Sequence, residues 1–417
     1  MHHKQSLQNQ TQFYFLRRSL IVAVLSVLLA PISQSVLAAT VMQHQNLPVT
    51  TQQGSQNHPA IANQKTELPK IQLAILLDTS NSMDGLIDQT RNQLWQVVNE
   101  FSTARQNGVT PILEIALFEY GNDNNSQSAG FVRKLNQFTR ELDAVSEGLF
   151  SLTTNGGSEY CGFAIKTAVN HLQWSQSNGD IKTIFIAGNE PFTQGPVNYQ
   201  EAVKLASKSG ISINTIHAGG YQQGIANGWQ SGAILAGGDY MSIDANQQVV
   251  HIAAPQDIKI AELNAKLNET YVPYGIKGAD KLKRQMEQDV QSSNISAGLL
   301  AKRAESKSSS FYSNSSWDLV DALDDGEVDE EELVQFEDAV LPEPMKGLSS
   351  REKLDYVHEK AEARKLIKQE ISELSRSRAA YVAQINRDQV AASPSISDAL
   401  TNAVKKQAKQ KNFIFEK

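Results

Sequence analysis

Asp78, Ser80 and Ser82 occupy alternate positions in Asp78-Thr79-Ser80-Asn81-Ser82, directly after the apolar residues Ile75-Leu76-Leu77. A carboxylate and two hydroxyls on every second residue point to one side of an extended chain. An all-oxygen set suits a hard divalent cation such as Mg²⁺, which wants octahedral geometry and keeps several waters; Mn²⁺ and Ca²⁺ are the alternatives. Asp and Ser at the start of a helix also serve as N-caps, so the pattern supports two readings. Cys161 is the only cysteine, which excludes an intramolecular disulfide and a multi-cysteine zinc site. As a nucleophile it would need His171 or His217 brought near in space. Its place on a stripe with Ala164, Ile165 and Ala168 points to a core role instead. The acidic run Asp321 to Glu332 has Gly at its sixth position and Glu at its twelfth, but Leu323 stands where a calcium loop needs an oxygen, so a solvated acidic turn is expected. No paired catalytic carboxylates, nucleophile elbow or phosphate loop occur, and the chain is not expected to be an enzyme.

The elements around these residues alternate. Lys70 to Asp78 (KIQLAILLD) is a short strand-like run, followed by a helical stretch from Asp84 to Asn107 with Leu86, Leu94, Val97, Val98 and Phe101 in one stripe. Further strand-like runs are Ile112 to Phe118, Ile181 to Ala187 and Ile211 to His217, the last two separated by a helix over Tyr199 to Ser209. This order predicts an α/β fold, a doubly wound, mostly parallel sheet flanked by helices, with ligands collecting beyond the carboxyl ends of its strands. Two strand-like pieces over Tyr240 to Ile252 and a helix over Pro255 to Leu267 close the unit near residue 272. Residues 273–417 read as a helical region. Trp317, with Phe311 and Tyr312, is expected to bury a helix junction there. Residues 318–338 carry eleven acidic side chains and no basic one. Residues 351–390 are a long helical candidate for either a coiled coil or a helix folded back on the main domain, since Leu354, Val357 and Ala361, then Ile367, Ile371 and Leu374, then Tyr381 and Ile385 recur at three- and four-residue steps within each group.

The sequence DTSNS, placed after a hydrophobic strand and before a long helix, resembles the DxSxS metal-ion-dependent adhesion site of the von Willebrand factor A (VWA) family. The resemblance covers roughly residues 70–270, and Gly210 to Gly219 (GISINTIHAG) is similar to the family's penultimate strand segment. It implies a second loop supplying a hydroxyl, here Ser158 within Thr153 to Glu159, with Thr154 and Glu159 as alternatives. It also implies an aspartate on a third loop, where this chain has Ala187-Gly188-Asn189-Glu190-Pro191 and Glu190 is the substitute. The resemblance thus implies a metal set of Asp78, Ser80, Ser82, Ser158 and Glu190, with a protein partner's carboxylate completing the coordination.

The chain has 417 residues, with 38 Lys and Arg against 45 Asp and Glu, a net charge of -7 that argues against a nucleic-acid partner. Arg17 and Arg18 precede the apolar run Ser19 to Leu29, which reads as an export signal cleaved after Ala38. That run is about half the ~20 residues a bilayer span needs, so no stable membrane span is expected after cleavage. The remaining 379 residues hold 35 basic and 45 acidic side chains. Residues 39–69 are rich in Gln, Asn and Thr, as expected of a disordered spacer. The expectation is a periplasmic or secreted binding protein, with a possible homo-oligomer through the C-terminal helices. The alternative is an assembly factor with a degenerate ion site, acting through those helices.

Overall fold

Strand β1 (Lys70–Asp78) is buried along all but its first residue, as a strand with neighbours on both edges and helices on both faces must be. In the computed structural model, which describes residues 68–244, 251–386 and 395–416, β1 is followed by α1 (Asp84–Ser102), β2 (Ala104–Gln106), β3 (Ile112–Tyr120), β4 (Arg133–Thr139), α2 (Leu142–Phe150), α3 (Cys161–His171) and β5 (Ile181–Gly188). Next come α4 (Tyr199–Lys208), β6 (Ser212–Ala218), α5 (Tyr221–Ala226), α6 (Trp229–Leu235) and β7 (Tyr240–Ile243). The C-terminal part contains α7 (Asp257–Asn268), α8 (Gly278–Ile295), α9 (Ala297–Ser308), α10 (Leu319–Asp324), α11 (Glu330–Gln335), α12 (Ser350–Asn386), α13 (Ile396–Lys409) and β8 (Phe413–Phe415). The export signal, its cleavage point and nearly all of the spacer lie outside the described residues, as do residues 245–250 and 387–394.

The main sheet runs β4-β3-β1-β5-β6-β7, parallel except for the edge pair β3–β4. Strand β4 (RKLNQFT) is too polar to announce itself in the sequence. It fits because an antiparallel edge strand can leave much of its surface to water. Successive side chains of β1 enter opposite cores: Leu73, Ile75 and Leu77 pack in one layer, Ala74 and Leu76 in the other. Chain order reverses direction between β1 and β5, so the crevice at their carboxyl ends is the topological switch point. Helix α1 stops at Ser102, short of the expected Asn107, because Ala104–Gln106 pairs antiparallel with Phe413–Phe415 at the far end of the chain.

The C-terminal helices share the larger core with α1 and β1, through Ile260, Leu299, Ile371, Leu400 and Val404 among others. Buried cations fasten them. Arg303 on α9 reaches Asp143 on α2 at 2.7 Å and Asp289 on α8 at 2.6 Å, and its guanidinium lies over the Trp95 ring. Arg364 on α12 holds Asp318 and Asp321 and stacks on Tyr271, while Arg378 pairs with Asp257 at 2.5 Å. The stripe on α12 that could have served a coiled coil is turned, from Leu354 to Leu374, toward the chain's own α7, α9, α10 and α11, while Ile385 is exposed. Trp317 is buried and stacks on Tyr271. The acidic run is put to structural use: Asp318 caps α10, and Asp329 forms a capping box with Glu332 at α11. Among the described residues no helix is long and apolar enough to cross a membrane.

Candidate metal centre at the strand ends

The turn leaving β1 is laced to two other loops by its backbone. Thr79 N–H donates to Tyr120 O at 2.9 Å, Asn81 N–H to Gly156 O at 3.1 Å, and Asn155 N–H to Thr79 O at 3.0 Å. This fixes Asp78 beneath the turn with no exposed surface. Its Oδ1 accepts the Ser80 N–H at 2.8 Å, whereas its Oδ2 makes no well-directed hydrogen bond, and neither does the buried Ser80 Oγ. None of these residues caps α1: the N-cap is Met83, without a side-chain hydrogen bond. The competing reading of Asp78, Ser80 and Ser82 as helix caps therefore does not describe the structure.

Glu159, from the second loop, is a second carboxyl beside Asp78. It is buried, and its side chain faces both Asp78 and Ser80. Its backbone N–H donates to Gln194 Oε1 at 2.6 Å, and its Oε2 accepts the Glu190 N–H at 3.3 Å. Burial raises the Asp78 carboxyl well above the usual carboxylate range, and the adjacent Glu159 carboxyl adds to the effect. Burial raises Glu159 as well. Two glycines make the close approach possible. A Cβ on Gly121, whose φ is +80°, would lie 2.7 Å from Asp78 Oδ1, and one on Gly188 would lie 2.9 Å from Asp78 Oδ2.

The other expected ligands are placed variously. Ser82 is exposed and its Oγ accepts from Asn189 Nδ2 at 3.0 Å. Ser158 is half-buried and pairs through its backbone with Gly121. Thr154 donates to Asp84 Oδ1 at 2.7 Å, at the rim of the crevice. Glu190 is exposed. The contacts that tie it to the site are those of its backbone, whose carbonyl accepts the Trp229 Nε1–H at 2.9 Å. Ala187 and Gly188 end β5 where a strand-end carboxylate was expected, and the Tyr120 hydroxyl fills that space, donating to Ala187 O at 2.9 Å.

Tyr120 and Asn189 escaped the sequence reading. The signal for Tyr120 was its place at the end of a strand adjacent to β1. Cys161 is buried beside the Tyr120 hydroxyl, and burial raises its thiol well above the ordinary range, which leaves it a poor nucleophile. His217 lies beneath the rim with Nε2 3.2 Å from Asn189 O, and burial lowers its basicity.

The donors fit a hard cation: all are oxygens, two are carboxylates, and two buried oxygens lack a well-formed hydrogen bond. Among the described residues no group of three or more His, Cys, Asp or Glu side chains is arranged to hold a metal, so this crevice depends on hydroxyls to complete its set.

The sequence model of the von Willebrand factor type A domain matches residues 72–227. No curated protein matches the chain. Among solved structures, the conserved hypothetical protein BatB from Bacteroides thetaiotaomicron is 15% identical, with a TM-score of 0.32 over 42% of this chain and 90% of that one. An aerotolerance-related membrane protein from Bacteroides fragilis is 16% identical, with a TM-score of 0.30 over 42% and 93%. Proximal thread matrix protein 1 of the mussel byssus, with a zinc-occupied MIDAS motif, is 13% identical, with a TM-score of 0.33 over 43% of each chain. The stretch that matches the von Willebrand factor type A model, residues 72–227, thus falls on a mostly parallel sheet flanked by helices, and a C-terminal helical region follows it.

Proposed function

We propose that this chain is an exported, non-enzymatic binding protein whose VWA domain engages an acidic group of a protein partner through a divalent cation. The observation that carries this reading is the pair of buried oxygens, Asp78 Oδ2 and Ser80 Oγ, left without a well-formed hydrogen bond at the switch point of the sheet. Buried polar atoms are nearly always partnered, and one left unmade costs about 1–3 kcal/mol. A ligand that supplies the missing partner recovers that cost. Asp78 and Ser80 would hold the ion from below, with Ser82 and Ser158 nearer the surface. The chemistry a bound Mg²⁺ supplies is an electrophilic centre for a carboxylate. Export is supported by the basic and apolar N-terminal segment.

The test is calorimetric titration of Mg²⁺, Mn²⁺ and Ca²⁺ into the chelator-stripped chain, with Asp78→Ala as control. Saturable binding that vanishes in the variant supports the reading. Absence of heat and of any ion-dependent change in melting sinks it, since an ion that binds only the native state must stabilise that state.

A second reading is an assembly factor that acts through its C-terminal helices with the ion site empty, and it draws on the missing carboxylate at the end of β5. Truncating those helices would not isolate it, because they complete the core shared with α1. Substitutions on the exposed face of α12, such as Leu366→Glu, separate the readings: loss of partner capture there, with Asp78→Ala unaffected, selects the second.

A further inference from the structure

We propose that Glu159 is the second charged ligand of the cation site, replacing from the second loop the carboxylate that the end of β5 lacks. The inference rests on the ion-binding reading above and assigns a ligand that the sequence motif alone does not select.

At Gly188 the end of β5 has no room for a side chain, and Ala187 before it carries no ligand. A Cβ on Gly188 would meet the Tyr120 hydroxyl at 2.4 Å and Asp78 Oδ2 at 2.9 Å, and Tyr120 is pinned there by its bond to Ala187 O. The charge must then come from elsewhere. Glu190 is exposed, and its backbone, through the N–H bonded to Glu159 Oε2, is what reaches into the crevice. Glu159 is held from two sides. Gln194 takes its N–H and Glu190 meets its carboxyl, while the φ of +80° at Gly121 lets the chain pass close to its Cγ, 2.9 Å from where a Cβ would sit. A buried glutamate placed against a buried aspartate, with no cationic side chain hydrogen-bonded to either among the described residues, stays fully ionised only when a cation joins them. The buried Ser80 hydroxyl faces both acids without a well-directed hydrogen bond to either, as a neutral ligand of the same ion would.

The experiment is a Mn²⁺ titration of the full, chelator-stripped chain, read by calorimetry and by the ion-induced shift in melting, on wild type, Glu159→Gln, Glu159→Asp and Glu190→Gln. The expected result is a weakening of tenfold or more in Glu159→Gln with loss of the melting shift, a smaller loss in Glu159→Asp, and affinity within twofold of wild type in Glu190→Gln. Near-UV circular dichroism checks that each variant is folded, and Glu159→Asp carries the test if the glutamine variant is not. Glu159→Gln binding Mn²⁺ within twofold of wild type overturns the assignment while leaving the ion site standing. A tenfold loss in Glu190→Gln with Glu159→Gln unchanged moves the charge to Glu190 and equally overturns it. No binding by wild type overturns the ion reading itself, and Glu159 with it.

Discussion

The Tyr120 hydroxyl stands 2.4 Å from where a Cβ on Gly188 would be, a distance that real side chains do not tolerate. Tyr120 is fully buried and holds its position by donating to Ala187 O, so it cannot swing aside without leaving a buried carbonyl unpaired. Gly188→Ala is accordingly expected to destabilise the fold by about 1–3 kcal/mol, the usual range for overpacking a full core. Urea denaturation measures this directly. Tyr120→Phe in the same chain should recover part of the loss by removing the clashing oxygen, and an additive double variant would show that the two positions do not compete for space.

Removal of divalent ions should lower the melting temperature of the wild-type chain. At an ion concentration one hundred times the dissociation constant, mass action contributes about 2.7 kcal/mol to the native state. Asp78→Ala should lose that increment, yet its ion-free form should melt close to ion-free wild type, because the acceptor lost to the Ser80 N–H is offset by removal of a group whose ionised form burial and Glu159 both disfavour. Differential scanning fluorimetry with and without chelator gives all four values. An ion-free Asp78→Ala chain that melts well below ion-free wild type would make Asp78 a structural residue.

The attachment of the C-terminal helices offers a test outside the crevice. Arg303 has no exposed surface and bridges Asp143 on α2 to Asp289 on α8. Its neighbours hold the Asp289 carboxyl well below the ordinary range, despite a burial that pushes the other way. Arg303→Met leaves buried Asp143 without a cationic partner and Asp289 with Lys307 alone, at 3.0 Å, and is expected to cost about 3–5 kcal/mol, as breaking a buried pair does. The double change Arg303→Met, Asp143→Asn should recover part of this, with Asp289 kept as the partner of buried Lys307. Equal stability of the single and double variants in urea would refute the idea that stranded charge sets the loss.

The sheet was legible because its central strands are buried on both faces and so read as unbroken apolar runs. Asp78, Ser80 and Ser82 were legible because their spacing matches the strand repeat. What escaped detection depended on long-range geometry. Strand β4 exists through pairing with β3 and carries no period of its own. Glu159 was one of three candidates on its loop, and only burial against Asp78 separates it from Thr154, which turns to Asp84, and from half-buried Ser158. Glu190 drew attention as an acid on the expected loop, whereas the structure engages its backbone. The helix over residues 351–390 had an apolar seam that fits a second copy or its own chain equally well; the arginines within that seam, Arg364 and Arg378, find their acids within the chain.

Stability should fall as the pH drops from about 6.5 toward about 4, through His251. Burial, with Lys302 and Arg378 close by, lowers its pKa from 6.5 to about 4, and its Nε2 lies 2.7 Å from Asn92 Oδ1. Between those values the unfolded chain binds a proton that the native state refuses, so unfolding free energy rises with pH across the window and is lost on acidification. The ring is only about half buried, so solvent screening reduces the contribution to about 1–2 kcal/mol. His251→Gln keeps a donor for Asn92 but cannot titrate. Its stability should be flatter than wild type from pH 6.5 to 4, while the losses both chains suffer from carboxylates such as Asp289 cancel in the difference. Parallel curves for the two chains in urea melts at half-unit pH steps would show that His251 takes up its proton alike in the native and unfolded chains.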